Sequence, residues 1–345
     1  MTTVLVTGGA GYIGCILVRK LVSQGFAVRV LDRLYWGRQP LQEVLDRIEL
    51  IHGDIRHLRD EWFQGIDGVI HLAGFSNDPT AEYDPQANWE ISAVATEGLA
   101  LTCKRLGVPR FTFGSSCSIY DGLPPGIEYG EDQEVHPKGA YAQAKHYAEN
   151  RLVEMADEHF CPVILRQATV FGFSPRMRYD LVVNTFVKDA FQAGRLSLHG
   201  GGQMWRPLVD VEDAAEAHIV SLLAPAEKVQ GEIFNVVQDN YQIRTLATMV
   251  SGVLRRENRD VRLEEVPLPP LVRDYRCSNG KMTRALGFTP QVTVLASVAK
   301  IVACINRDAF TEFDHPRYYN IRWMELLSEV HENLRPFQSV LREGT

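Results

Sequence analysis

Tyr141 and Lys145 lie four residues apart in Tyr141-Ala142-Gln143-Ala144-Lys145. On a helix this spacing puts both on one face, and Ala144, Ala148 and Leu152 turn that face inward. A lysine on an apolar stripe is costly unless its charge is used. An ammonium beside a phenol stabilises the phenolate, so Lys145 is expected to lower the pKa of Tyr141 and make it an acid/base able to work near neutral pH. The pair alone is a common chance pattern. It gains weight from what precedes it: a glycine-rich loop, an acidic strand end, and the strand Phe111-Thr112-Phe113-Gly114 that delivers Ser115-Ser116-Cys117-Ser118.

The glycine loop is Thr7-Gly8-Gly9-Ala10-Gly11-Tyr12-Ile13-Gly14, between the apolar run Val4-Leu5-Val6 and an amphipathic segment from Tyr12 to Gln24. Gly8, Gly11 and Gly14 let backbone approach a pyrophosphate, with Tyr12 and Ile13 at the helix end whose free N–H groups and dipole face that charge. A tight turn would also explain glycines. Asp32 favours the nucleotide: it ends the strand Val28-Arg29-Val30-Leu31, about twenty residues on, where a carboxylate accepts hydrogen bonds from a ribose diol. Asp32 also repels a 2′-phosphate, which favours NAD over NADP, although Arg33 could partly offset this. Asp54-Ile55 ends the next strand, where the carboxylate could bind an adenine amino group and the isoleucine could pack on the ring. Asp54 could equally be no more than an N-cap for the segment from Arg56. Gly68-Val69-Ile70-His71-Leu72-Ala73-Gly74 is a fourth strand, whose small Ala73-Gly74 end admits a further stretch of cofactor.

These residues need a frame that carries strand ends to one place. Strand and helix patterns alternate through the first half, which predicts an α/β fold with a doubly wound parallel sheet and ligands at the carboxyl ends of the strands. The helix from Ala87 to Leu106 shows a stripe of Ile91, Val94, Ala95, Gly98, Thr102 and Leu106, read as core packing only. Pro162-Val163-Ile164-Leu165-Arg166 is a sixth strand, and beyond Phe171-Gly172 the chain turns irregular. Residues 1–170 are read as a nucleotide-binding domain and 171–345 as a smaller substrate lobe, interleaved because segments near 208–240 return to the sheet. Arg176, Arg178, Asn184, Gly200-Gly201-Gly202 and Arg206 suit a diphosphate-bearing substrate, although loop arginines are more often solvated. His199-Gly200-Gly201-Gly202 mimics a lipase oxyanion motif, but Gly114-Ser115-Ser116-Cys117-Ser118 lacks the second glycine of a nucleophile elbow, which rejects a hydrolase. The tail from Asp308 to Thr345 says nothing of function.

Composition narrows the classes further. The 345 residues carry a net charge of -7 with no basic run, which argues against nucleic acid. No apolar segment approaches the roughly 18 residues of a membrane span. Met1-Thr2-Thr3 runs straight into the first strand, leaving no room for a secretory signal. Six scattered cysteines without a CxxC pair read as reduced thiols of a cytoplasmic protein, with no metal site.

The order of these motifs resembles the extended short-chain dehydrogenase/reductase superfamily, and in particular its nucleotide-sugar epimerases and dehydratases. The similarity runs from the glycine loop through Asp32, Asp54-Ile55, His71-Leu72-Ala73-Gly74, Ser115-Ser116, Tyr141 and Lys145 to Leu165-Arg166, Phe171-Gly172 and Arg206 to Asp213. It implies a Rossmann fold, NAD as cofactor, a nucleotide-sugar substrate and a homodimer paired through the helices around Ala87–Leu106 and Tyr141–Met155. It also implies roles. Ser116 would hydrogen-bond the oxygen at sugar C4, Tyr141 would exchange its proton, and Lys145 would hold the nicotinamide ribose. Thr169, Asn184, Arg206 and Arg273 fall at substrate-binding positions.

The departures bear on the reaction. Dehydratases of this family usually carry acids just after the catalytic hydroxyl, and here Cys117 and Ser118 stand there, which disfavours 4,6-dehydration. Cys117 could serve as a thiolate acid/base or simply pack. Ser92 and Thr169 replace asparagines common in relatives. A 4-epimerase is the favoured reading, with a reductase using released cofactor and a non-catalytic nucleotide sensor as alternatives.

Overall fold

The computed structural model describes residues 2–268, 273–307 and 309–334. Seven parallel strands form its central sheet in the order Ile233–Val236, Cys161–Gln167, Arg110–Ser116, Gly68–His71, Thr3–Thr7, Ala27–Asp32 and Ile48–His52. The order reverses direction between Thr3–Thr7 and Gly68–His71, so the crevice that ligands use in such sheets opens beside the glycine loop. Strands buried on both faces need continuous apolar runs, and Val4, Leu5 and Val6 are fully buried accordingly. Helix Gly14–Ser23 packs Cys15, Leu17, Val18 and Leu21 on one face of the sheet, and helix Ala140–Met155 covers the other with Ala148 and Leu152.

A second core lies beyond the sheet. Phe171, Tyr179, Val183 and Val187 meet Leu246 and Val250 of helix Ile243–Arg256 and Val298 and Ile301 of helix Val294–Ile305. The strand Thr169–Phe171, two residues after the sheet strand Cys161–Gln167, pairs with Trp205–Asp210 in a separate small sheet. The chain then returns through helix Val211–Leu223, capped by Asp210 on the N–H of Glu212 at 2.8 Å, to the edge strand Ile233–Val236. The two cores are thus joined by several chain crossings.

Of the stripe expected between Ala87 and Leu106, Ala95 is buried and Ile91 and Leu106 pack against the core, but Val94 is 51% exposed and the buried positions beyond it are Thr96, Leu99 and Cys103. The cause is a π-helical turn over Glu90–Val94 between the helices Pro85–Trp89 and Ala95–Arg105. It inserts an extra residue into the turn and rotates the following face.

Candidate functional site

A cleft of about 770 Å³ runs along the carboxyl ends of the strands. Gly8, Gly11, Tyr12, Ile13, Gly14, Asp32, Arg33, Asp54, Ile55, Leu72, Ala73 and Gly74 all line it, as do Ser116, Tyr141, Lys145, Thr169 and Arg273. Cys117, Asn184 and Arg206 do not.

The glycine loop is held by close packing. Gly8 has φ +73°, and a Cβ there would lie 2.7 Å from the N of Ala73, while one on Gly14 would lie 2.1 Å from the carbonyl of Gly8. Side chains are therefore barred at both positions, and the helix Gly14–Ser23 starts flush against the loop. Asp32 accepts from the N–H of Ala10 at 2.9 Å and of Leu34 at 2.7 Å, which ties loop and strand end together. Burial raises its pKa against these bonds. Arg33 is paired with Asp54 at 2.8 Å, and Arg56 with Asp54 at 2.7 Å. Asp54 also accepts from the N–H of Arg56 at 2.9 Å, so its local capping role is real, as a turn and not a helix start. Burial opposes ionisation, yet bonding to Arg56 still leaves the carboxyl below its usual range.

Ser116 ends the strand Arg110–Ser116, and its Oγ accepts from the N–H of Ser118 at 3.1 Å. Tyr141, on the first turn of helix Ala140–Met155, is 8% exposed. Lys145 is 4% exposed and donates to the carbonyl of Gly114 at 2.8 Å. Its Nζ lies 5.9 Å from the Tyr141 ring centroid. The expected lowering of the Tyr141 pKa is not what the structure shows. Burial pushes the phenol up to about 12, while a hydrogen bond with Ser116 and the charge of Arg178 work the other way. Burial also brings Lys145 down to about 8, with Glu149 opposing.

Beneath the pair, Arg166 bonds Glu149 at 2.7 Å with both side chains buried. His71 and His218 are fully buried, each pulled down to about 3 by burial, so both stay neutral and are not proton carriers at physiological pH. Ser92, where an asparagine was the family expectation, accepts from the N–H of Phe75 at 3.1 Å and so holds the turn after Gly74.

Three expected site residues are placed elsewhere. Cys117 is fully buried, and its thiol donates to the carbonyl of Arg166 at 3.1 Å, because the chain turns into a 3₁₀ turn over Cys117–Tyr120 and aims the side chain into the core. Asn184 is fully buried too: it accepts from the N–H of Gly172 at 3.0 Å and donates to the Tyr12 hydroxyl at 3.1 Å and the carbonyl of Arg178 at 2.9 Å. It braces the loop after Phe171 instead of reaching a ligand. Arg206 donates to the carbonyl of Trp205 at 2.8 Å and sits near Asp121, next to the cleft's far end. The Gly200–Gly202 turn packs on Arg244 and Glu265, outside the cleft.

Other cleft residues were not anticipated. Asp78 lines the wall and pairs with the anticipated Arg273, which also reaches Asp121 at 3.7 Å. Helix Asn320–Leu334 places Met324, Leu327, Ser328 and His331 along the cleft, and Trp323 donates to the carbonyl of Tyr35 at 2.7 Å. Tyr12 donates to the carbonyl of Gly172 at 2.6 Å, closing the seam between the two cores.

The donor set fits a dinucleotide: a glycine cradle with a helix start for pyrophosphate, Asp32 for a ribose diol, and apolar Ile55 and Leu72 for flat rings. Among the described residues no cluster of metal-ligating side chains occurs, and no helix is long and apolar enough to cross a membrane.

The comparisons agree with this chemistry. The UDP-glucose 4-epimerase of Mycolicibacterium smegmatis is 29% identical over 318 residues, covering 86% of this chain and 96% of its own. The solved UDP-glucose 4-epimerase of Thermotoga maritima superposes with a TM-score of 0.80 at 23% identity, covering 89% of this chain and 99% of that one. DesIV of Streptomyces venezuelae, a dTDP-glucose 4,6-dehydratase solved with NAD, gives a TM-score of 0.77 at 25% identity over 88% of this chain and 97% of its own. A family model described as the NAD dependent epimerase/dehydratase family matches residues 4–236, well over half of the chain, and its cofactor is the one this cleft is built to hold. The chain therefore belongs to the NAD-dependent epimerase/dehydratase family.

Proposed function

We propose that this protein is a nucleotide-sugar 4-epimerase. The observation that carries the reading is the pocket around Ser116. Its hydroxyl stands with Tyr141 and Lys145 at the cleft, while the two positions after it, where a dehydratase places acids, hold Cys117 and Ser118, both buried. When bound, NAD supplies a hydride acceptor and donor for the carbon that changes configuration. Ser116 then orients the oxygen at sugar C4. In the oxidising direction Tyr141, as phenolate, accepts the proton of the C4 hydroxyl, and as phenol it returns that proton to the C4 oxygen when the ketone is reduced again; Ser116 and Arg178 are the groups that favour the phenolate against the burial that raises its pKa. Lys145 keeps a buried cation next to the phenol, anchored on Gly114. With Cys117 and Ser118 in place of acids after Ser116, a 4-keto sugar formed here is reduced back instead of losing water.

A nucleotide-sugar suits the far half of the cleft, where Arg273 and Thr169 line the wall and Arg206 lies close behind. Pairing of two copies is supported by Trp89, Val94, Leu101 and Val153, each at least 38% exposed on the helices named above.

Solvent deuterium tests the reaction. Incubation with a panel of nucleotide-sugars in D2O should interconvert C4 epimers with no deuterium at carbon, because the hydride returns to the carbon it left. Deuterium at C5 with a stable 4-keto-6-deoxy product would replace this reading with a dehydratase, and a stoichiometric need for added reduced cofactor would replace it with a reductase.

A further inference from the structure

Arg176 presents an electrostatic problem that the chain alone does not solve. It is 5% exposed and lines the cleft, and its Nη1 is buried with no hydrogen-bond partner among the described residues. Its guanidinium lies 4.1 Å from the centroid of the Trp36 ring, which fixes the plane of the group, and its Nη2 is held by the side-chain oxygen of Asn320 on the C-terminal helix. Asn320 is held in turn, donating to Ser76 Oγ at 2.6 Å. The arginine is therefore oriented from two sides while one edge is left open.

Among the described residues no carboxylate forms an ion pair with it. Asp180, the acid closest to hand, is engaged by Arg178 through two contacts of 2.8 and 3.0 Å. Burial and the neighbouring charge of Arg178 bring Arg176 down to about 9, which leaves it charged at neutral pH. Asp180 acts on both arginines but is bonded to Arg178, so the burial of the Arg176 charge is only partly compensated. Something must offset the remainder when the site is in use.

Position indicates what does. Arg176 lies near Tyr12 and Cys15, at the start of the helix Gly14–Ser23, and it also meets Trp36, four residues past Asp32. The helix start is where the pyrophosphate of a dinucleotide rests, and Asp32 is where its adenosine ribose rests. The open edge of the guanidinium thus lies along the stretch that carries the dinucleotide's negative charge.

We infer that Arg176 is a further cofactor-binding residue, for the pyrophosphate of NAD, with Trp36 and Asn320 of helix Asn320–Leu334 as its positioning residues. The sequence alone had set Arg176 among groups suited to a substrate diphosphate, and the geometry moves it to the cofactor. This inference rests on NAD binding and not on which sugar reaction is run, so failure of the epimerase reading leaves it standing.

Titration calorimetry of the full-length chain with NAD, ADP, adenosine and UDP tests it. Arg176→Gln should weaken NAD and ADP by about 10- to 100-fold, the worth of one lost charge-assisted contact, while adenosine and UDP change by less than about twofold. Arg176→Lys should recover part of the ADP affinity, and Asn320→Ala should lose ADP affinity by a smaller factor than Arg176→Gln. Equal weakening of ADP and adenosine would mean that the arginine only props Trp36, and the inference falls. A loss confined to UDP would return Arg176 to the substrate, and unchanged affinities throughout would overturn it as well.

Discussion

The half of the cleft on the glycine-loop side and the half beyond Tyr141 are built from chain of very different span. The first takes Gly8 to Gly14, Asp32 and Asp54 from consecutive strand ends, so short-range spacing fixes it. The second takes Asp78, Ser116, Thr169 and Arg273, brought together only by tertiary packing. The acids of the first half are also satisfied from within, Asp32 tying the loop to its strand and Asp54 held by Arg33 and Arg56. The second keeps its Arg273 bridge partly exposed, with 29% of the arginine side chain accessible. A cofactor common to a family calls for the rigid half, and a substrate that varies across it suits the adaptable one.

Tyr141 stands where the halves meet, and removing its hydroxyl should give the largest effect. Tyr141→Phe should lower turnover by about 10²- to 10⁴-fold while the amount of NAD bound per chain stays the same. Rate measured against bound NAD checks both parts. Retained turnover would mean that another group moves the proton, and a loss of NAD would mean that the residue belongs to the cofactor half alone.

Arg273→Gln should separate the halves. With its bridge to Asp78 and Asp121 gone, KM for the nucleotide-sugar should rise about tenfold, near the lower worth of a charge-assisted contact in a partly exposed site, with NAD binding unchanged. A parallel fall in NAD affinity would show that the two halves are not independent.

The same contrast explains what could be read from the chain. The sheet, the glycine loop, Asp32 and the Tyr141/Lys145 helix are periodic or local, and the structure assembles them in one cleft. Asn184 was misread, and Cys117 stayed open between acid/base and packing, because residue type and position near a motif do not reveal which way a turn sends a side chain. The 3₁₀ turn after Ser116 sends Cys117 inward, and Gly172 and Tyr12 claim Asn184. The core stripe between Ala87 and Leu106 slipped beyond Val94 because a π turn has no simple sequence mark. The C-terminal helix gave no signal because its cleft role depends on Asn320 meeting Ser76, 244 residues away. The Tyr141 pKa went the other way because a pairwise rule for Lys145 omits the burial of the phenol itself.

The smallest effect is expected at Cys117, and it tests the boundary of the site. The thiol is fully buried, donates to the carbonyl of Arg166, and does not line the cleft. Cys117→Ser keeps a donor of similar shape at that carbonyl, so turnover should stay within about twofold, with a loss of stability on the order of 1 kcal/mol from replacing a well-packed sulfur by a smaller polar atom. Comparing kcat and the urea midpoint of the two proteins separates these effects. A hundredfold fall in kcat at an unchanged midpoint would mean that the thiol reaches the sugar in the working enzyme. The acid/base chemistry would then extend past Ser116 into the 3₁₀ turn, and epimerisation at C3 or C5 would displace hydride return at C4 as the reaction to be explained.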